Sequence, residues 1–235
     1  QVIHKASSRF NRSFVTINAA QTTEVLLEAE LFGFEKGAFS GAVSSKSGKL
    51  ELAHGGTLYI EEISELSLNL QKKILRVLEE GTFCRLGANR QTPVDIRWLV
   101  STRNDLGDLV EQGKFDEALY NRFSVVQMKL PALRARMGDV RALVDGWTQQ
   151  LKRRGKTDAK TFSEAANQLM EQHQWPGNIR ELQTTFEKIQ ASARGNLVSR
   201  EDVLHHLPGQ VAREIQSSIG IDFDLANSVQ REASA

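Results

Sequence analysis

Cysteine is almost missing from this chain: Cys84 stands alone among 235 residues. One thiol excludes an internal disulfide framework and suggests a reducing compartment. The ordinary role of such a residue is that of a small buried hydrophobe. Long apolar runs are missing too, and the start does not resemble a signal peptide, so a cytoplasmic protein without a membrane segment is expected. Neither charge sign dominates: 30 Lys and Arg face 29 Asp and Glu, a net charge of +1. That balance gives no global attraction to nucleic acid, and no basic stripe stands out. The five histidines show no metal-ligand spacing with Cys or acids. There is no internal repeat and no low-complexity tract.

What is present is enough apolar residue (40%) for the cores of one or two domains. Val2, Ile3 and Ala6 have helical spacing, as in the tail of a helix. Phe14 to Ile17 alternates like a strand. Thr23 is placed to cap a helix, with Glu24 in its first turn and Val25, Leu26 and Leu27 as buried candidates. Thr57 to Ile60 reads as a buried strand ending in Glu61-Glu62. Ser67 is placed to cap a helix through Glu80, with Leu70, Ile74, Val77 and Leu78 on one face and Gly81 as its stop. Thr82 to Leu86 and Gln91 to Val94 suggest a hairpin. Ile96 to Val100 and Val125 to Leu130 are further strand candidates. Helices separating such runs are the grammar of a mostly parallel, helix-flanked sheet. From Asp139 onward only helices are expected: Val140 to Arg154, Ser163 to His173, Asn178 to Arg194 and Ser199 to His206. A boundary is therefore expected near residue 138, giving an α/β domain over 1–138, a helical one over 139–208, and a linker or docking tail over 209–235.

Between Leu31 and Ala42 lie three glycines, Gly33, Gly37 and Gly41, a density that makes a loop. Phe34 and Phe39 within it either fold back onto the core or form an aromatic tip shown to a partner. The fifteen residues from Glu28 to Ala42, Glu-Ala-Glu-Leu-Phe-Gly-Phe-Glu-Lys-Gly-Ala-Phe-Ser-Gly-Ala, resemble the signature loop of bacterial enhancer-binding proteins, the AAA+ activators of sigma-54 RNA polymerase. The family form is Gly-Ala-Phe-Thr-Gly-Ala, so Ser40 keeps the hydroxyl and drops a methyl. The resemblance extends to about Leu207. It implies an AAA+ fold, a P-loop NTPase-like parallel sheet followed by an all-helical lid. It also implies that Gly37, Ala38, Phe39, Ser40, Gly41 and Ala42 contact the polymerase sigma factor.

The same resemblance implies a nucleotide site for ATP and Mg²⁺. Glu61 and Glu62 match the acids that hold the metal and polarise the attacking water, although the family has Asp where Glu61 stands. Asn18 matches the switch residue that senses the γ-phosphate. In Ser101 to Leu106, Thr102 is kept while Arg103 replaces the sensor Asn. Arg122 matches a trans-acting arginine finger, and Asp116 stands where a second Arg is usual, with Ala118 in place of an acid. Trp175 to Leu182 matches the lid motif, placing Arg180 beside the nucleotide. The phosphate loop, G-x-x-x-x-G-K-[ST], is not in this chain. Gly155-Lys156-Thr157 only mimics its end, since Gln150 occupies the first glycine's place. By resemblance, the loop and the strand before it would precede Gln1.

Glu61, Arg103 and Asp116 all fall on positions that serve hydrolysis, and none falls on the fold. Loss of an arginine finger alone is worth on the order of 10³ or more in rate. The expectation is a transcription regulator with impaired hydrolysis, similar to the VpsR-like biofilm regulators and controlled by nucleotide or cyclic di-GMP, with Arg103 as a donor fork suited to phosphate. The alternatives are an active ATPase that remodels the sigma-54 holoenzyme, or an assembly module with an empty site. Self-association is expected as a hexameric or heptameric ring, or as a dimer. DNA contact belongs by resemblance to a separate C-terminal domain.

Overall fold

The computed structural model describes residues 1–155 and 159–207. Lys156 and Thr157 of the loop mimic, and the expected tail over 209–235, lie outside the described residues. The chain divides into two compact units, parted between Met128 and Lys129. That is ten residues before the expected boundary at 138. The reason is Leu133, which is fully buried in the second unit's core, so the segment before the first long helix of that unit already belongs to it.

The first unit opens with α1 (Val2–Lys5). Val2 and Ile3 are exposed and the buried residue is His4, whose Nδ1 lies 2.9 Å from Thr57 Oγ1. Strand β1 (Phe14–Asn18) leads to α2 (Glu24–Phe32). Thr23 precedes α2 without a side-chain capping bond, and the Glu24 carboxylate instead accepts from the Ser67 hydroxyl. Of the three apolar residues in its first turn only Leu27 is buried, and Val25 and Leu26 face solvent. Steps of about 100° cannot bring three consecutive side chains to one face; Leu27 and Leu31, four apart, share it.

After the glycine loop, bounded by β2 (Gly33–Phe34) and β3 (Lys46–Ser47), come α3 (Lys49–Leu52) and β4 (Thr57–Glu61). Helix α4 (Leu68–Glu80) begins as expected, with the Ser67 hydroxyl accepting from the Leu70 N–H, and ends at Gly81 in the left-handed region. Hairpin strands β5 (Thr82–Cys84) and β6 (Gln91–Pro93) follow, then β7 (Arg97–Val100), α5 (Leu106–Glu111) and α6 (Glu117–Phe123). Cys84, expected in the core, is half-buried.

Three strands form a parallel sheet in the order β1-β4-β7. Leu58 and Ile60 in the central strand are fully buried, as expected where helices cover both faces. Val125 to Leu130 does not form the expected fourth strand. Val125, Val126, Met128 and Leu130 are exposed, and an apolar run becomes a strand only when a neighbour completes its ladder.

The second unit contains α7 (Gly138–Arg153), α8 (Glu164–Gln172), α9 (Asn178–Ser192) and α10 (Arg200–Leu204). Ser163 caps α8, and Ser199 with Asp202 forms a true capping box on α10. The unit is not purely helical: β8 (Thr161–Phe162) and β9 (Leu197–Val198) pair in parallel, a two-residue tie too short to leave a periodic signal. Trp175 anchors the core, fully buried, with its indole N–H donating to the Met170 carbonyl at 2.8 Å. No helix among the described residues is long and apolar enough to cross a membrane.

Candidate functional site

Ligands of open α/β sheets bind beyond the carboxyl ends of the strands. Register brings Asn18 of β1 opposite Glu61 of β4, and Ile60 opposite Val100 of β7. Three strand ends thus deliver Asn18, Glu61-Glu62 and Ser101 to Arg103 to one edge. The Asn18 amide donates to Glu61 Oε2 at 2.9 Å, while its Oδ1 accepts from the Ala20 N–H. Glu62 is left-handed (φ 55°), a conformation that costs about 1 kcal/mol or more in a residue with a Cβ and is often found at functional sites. Arg103 Nε lies 3.0 Å from Glu62 Oε1, and the Arg103 backbone N–H donates to Oε2 at 3.3 Å. Each acid therefore already has a protein partner.

Thr102 is turned into its own loop. Its hydroxyl donates to the Asn104 carbonyl at 3.0 Å and accepts the Asn104 N–H at 3.1 Å. Beside Asn18 and Glu61 opens a cavity of about 490 Å³, lined also by Thr16, Ile17, Gln21, Thr22 and Glu30. Its walls carry two carboxylates and no cation, so a polyphosphate would find no charge complement there. Arg103 is the positive group at the strand ends. No three His, Cys, Asp or Glu among the described residues gather as a metal cluster. Mg²⁺ requires no such cluster, since it binds through one or two carboxylates and completes its shell with water and phosphate. Glu61 can supply one such ligand, and the Arg103 fork can meet a phosphate.

The other expected site residues are placed differently. Arg122 in α6 pairs with Glu79 of α4 at 3.3 Å, an exposed contact within the first unit. Arg180 lies exposed in the second unit's α9. Asp116 acts locally, its carboxylate capping α6 by accepting from the Leu119 N–H at 3.0 Å. Sequence reasoning missed Gln71, a fully buried polar residue on the apolar face of α4. It donates to the carbonyls of Leu66 and Lys114 and accepts from the Asp116 N–H at 2.7 Å. Its signal was a polar residue next to Leu70 on an otherwise apolar stripe.

The glycine loop forms a second site on the same unit. The Gly37 N–H donates to the Ala42 carbonyl at 2.9 Å and the Ala42 N–H to the Phe39 carbonyl at 3.0 Å, folding Gly37 to Ala42 into a compact tip. Gly37 and Gly41 have φ of 84° and 106°, which residues with a Cβ rarely adopt. Phe39 is neither a free tip nor a core residue. It is 37% exposed and packs edge-on against Phe34, with ring centroids 5.0 Å apart. The loop base is bolted to the β5–β6 hairpin. The Glu35 N–H donates to the Leu86 carbonyl, and the Leu86 N–H to that of Gly33, each at 3.0 Å. A Cβ on Gly87 would come within 2.8 Å of Ala38.

Arg85 completes this base. It reaches both carboxylate oxygens of Glu51 at 2.7 Å, Glu35 at 3.0 Å and Ser47 at 3.2 Å. The hydrogen bonds from Arg85 hold the Glu51 carboxyl below its ordinary pKa, and those to Glu51 push the guanidinium up. Sequence reasoning missed Arg85 as well, since its three partners come from distant stretches.

Residues 1–129 match the family described as the sigma-54 interaction domain, and residues 134–218 match the AAA+ ATPase lid domain. The chain is 40% identical over 220 residues to the Nif-specific regulatory protein of Azotobacter vinelandii, covering 94% of this chain and 40% of that protein. It is 38% identical over 211 residues to the transcriptional regulator NtrC of Rhizobium meliloti, covering 90% of this chain and 43% of the relative. Among solved structures, NtrX of Brucella abortus in complex with ATP superposes with a TM-score of 0.78 at 36% identity, covering 90% of this chain and 46% of that one. The chain thus spans less than half the length of these relatives.

Proposed function

The chain belongs to the sigma-54 interaction domain family, with an AAA+ lid following, and on that premise we propose that it is the nucleotide-dependent regulatory core of a transcription activator. Its Gly37 to Ala42 tip, with Phe39 at the centre, contacts the sigma factor of RNA polymerase. Copies of the domain associate, as a ring or as a dimer, and work in the cytoplasm where the polymerase is. Sequence-specific DNA contact belongs to another domain.

Within the site, Glu61 would hold Mg²⁺, and Asn18, Thr102, Arg103 and Arg180 would meet the nucleotide. Mg²⁺ held by Glu61 would supply positive charge to offset that developing on the transferred phosphoryl group. Glu62 is the general base that orients the attacking water, and Arg122 is the arginine finger for a neighbouring copy. We infer that hydrolysis is impaired. The observation that carries this is the pairing of Glu62 with Arg103 at 3.0 Å: a carboxylate whose oxygens are taken by the Arg103 side chain and backbone N–H is not free to orient an attacking water. Asp116 adds to it, because a capping acid stands where the resemblance puts a second Arg. Control by nucleotide or cyclic di-GMP, as in the biofilm regulators, would act through the same Arg103 fork.

ATP turnover by the full-length protein tests the reading. The triple variant Glu61→Asp, Arg103→Asn, Asp116→Arg is expected to raise the rate at least tenfold. Unaltered protein turning over near one per second or faster, within the ordinary enzyme range, would instead favour an active ATPase that remodels the sigma-54 holoenzyme.

A further inference from the structure

The net charge of +1 conceals an uneven layout in the second unit. Between Gly146 and Ser163 five Lys and Arg stand against one Asp, and from Lys188 to Arg200 there are three cations and no acid. The fold joins these stretches at one end of the unit. The rings of Trp147 in α7 and Phe162 in β8 both pack on Phe186 of α9, with centroids 5.4 and 5.7 Å away. The end of α7 therefore lies beside β8 and the second half of α9. The Lys160 N–H donates to Gln190 Oε1 at 2.9 Å, and its ammonium to the Gln190 carbonyl at 2.6 Å. The Thr161 N–H donates to the Asn196 carbonyl at 3.0 Å, which brings the bend after Arg194 alongside. Gly155 and Lys160, five residues apart, are within about 18 Å of each other.

Lys152, Arg153, Arg154 and Arg194 are exposed, and among the described residues none has a carboxylate partner. At the opposite end of α7 the cations are paired. Arg141 bonds both oxygens of Glu164 at 2.9 and 2.7 Å, and Arg136 meets Asp139 at 3.3 Å. Complementing the helix dipole accounts for Lys152 and Arg153, in the last turn of α7. It does not account for Lys160 and Arg194, which lie outside any helix. Like charges gathered without acids attract a polyanion. Its class follows from what accompanies them. The nearby rings pack on one another, so none is offered for stacking single-stranded bases. Leu197 is the one exposed large apolar residue among the described residues from 138 onward, too little for a bilayer surface. A duplex, with one phosphate charge per about 1.7 Å of axis, suits a patch of point charges.

We propose that this end of the second unit is a sequence-independent seat for the phosphate backbone of duplex DNA. Lys152, Arg153, Arg154 and Arg194 make the contacts, with Lys160 behind them. The seat reads no base; it adds affinity and fixes orientation. It goes beyond the nucleotide and polymerase contacts, and takes from the reading as a transcription regulator only the identity of the polyanion.

Anisotropy titration of a labelled random-sequence duplex with the full-length protein, from 50 to 200 mM salt, tests the seat. The comparison is between proteins, so DNA contacts made by any other domain cancel. Replacing Lys152, Arg153, Arg154 and Arg194 together by Gln is expected to reduce the slope of log K against log salt by about 3 to 4. Binding at 50 mM salt should weaken at least tenfold. The variant Arg153→Lys, Arg154→Lys, Arg194→Lys keeps the charges and should keep the slope; a loss equal to that of the Gln variant would overturn the seat. A Gln variant with unaltered slope and affinity would also overturn it. If that variant instead lost a polyglutamate peptide that the unaltered protein holds, the surface would belong to an acidic protein. No duplex binding by any of the proteins would overturn the DNA-bound regulator and the seat together. Should the fourfold variant not fold, Lys152→Gln with Arg153→Gln should lower the slope by about 2, and an unchanged slope there overturns the proposal.

Discussion

Two arginine–glutamate pairs lie in the same α/β unit and do opposite things. Arg85 grips Glu51 with two bonds of 2.7 Å, adds Glu35 and Ser47, and is three-quarters covered. Arg103 touches Glu62 through one side-chain nitrogen and is three-quarters exposed. Residue types are identical, so dentition and burial make the difference. A forked contact with its donors used and its solvent thinned fixes the loop base. A one-point contact in water contributes little to stability. The first pair supports the loop proposed to face the polymerase, and the second lies at the strand ends.

The largest effect is expected at what the fixed pair supports. Phe39→Ala should reduce sigma-54-dependent transcription by about thirtyfold or more, the weight of an interface hot spot. It should leave the urea midpoint almost unchanged, because Phe39 packs on the loop's own Phe34 and not in the core. A large loss of stability would show that the ring is a core anchor.

Arg85→Ala comes next, with about 1–3 kcal/mol of stability lost, since two partly buried carboxylates lose their donors. Urea unfolding measures it, and the same variant should depress transcription by loosening the loop. A companion, Gly87→Ala, is expected to cost about 1–2 kcal/mol, because its Cβ meets Ala38 and its φ is 76°. If both variants were neutral, the hairpin would not be a brace.

The fixed pair also has a pH signature. Glu51 titrates lower in the folded protein than in the unfolded chain, so its contribution is complete above the ordinary carboxylate value of about 4.5. That contribution is lost as pH falls through the lower folded value. The stability of the unaltered protein should therefore drop more steeply below about pH 4.5 than that of Arg85→Ala; parallel curves would remove Arg85 as the cause. The smallest stability effect belongs to Arg103→Gln, under about 1 kcal/mol by urea unfolding. A loss as large as that of Arg85→Ala would erase the contrast between the two pairs.

Much of the fold could be read from local chemistry. Ser67, Gly81, Ser163 and the Ser199–Asp202 box mark helix ends through bonds made within one turn. The strand end Glu61 was legible because a buried apolar run ending in polar residues is a local pattern, while Asn18 was placed by the family resemblance. What failed depended on neighbours distant in sequence. Val125 to Leu130 has strand composition and no ladder. Gln71 reads as a flaw in an apolar stripe until its partners Leu66, Lys114 and Asp116 are seen.

By itself the sequence determined the grammar: alternating strands and helices, the three-glycine loop, the acids at a strand end, and the positions where the family pattern breaks. These are carried by spacing, by the backbone freedom of glycine and by capping within a turn. Only the tertiary structure decided who pairs with whom. It gave Asn18 to Glu61, Arg103 to Glu62, Arg122 to Glu79, Asp116 to a helix cap and Arg85 to Glu51 and Glu35. Ion pairs and side-chain hydrogen bonds act over a few ångströms between residues some 35 to 45 positions apart in most of these cases. No local pattern encodes that proximity.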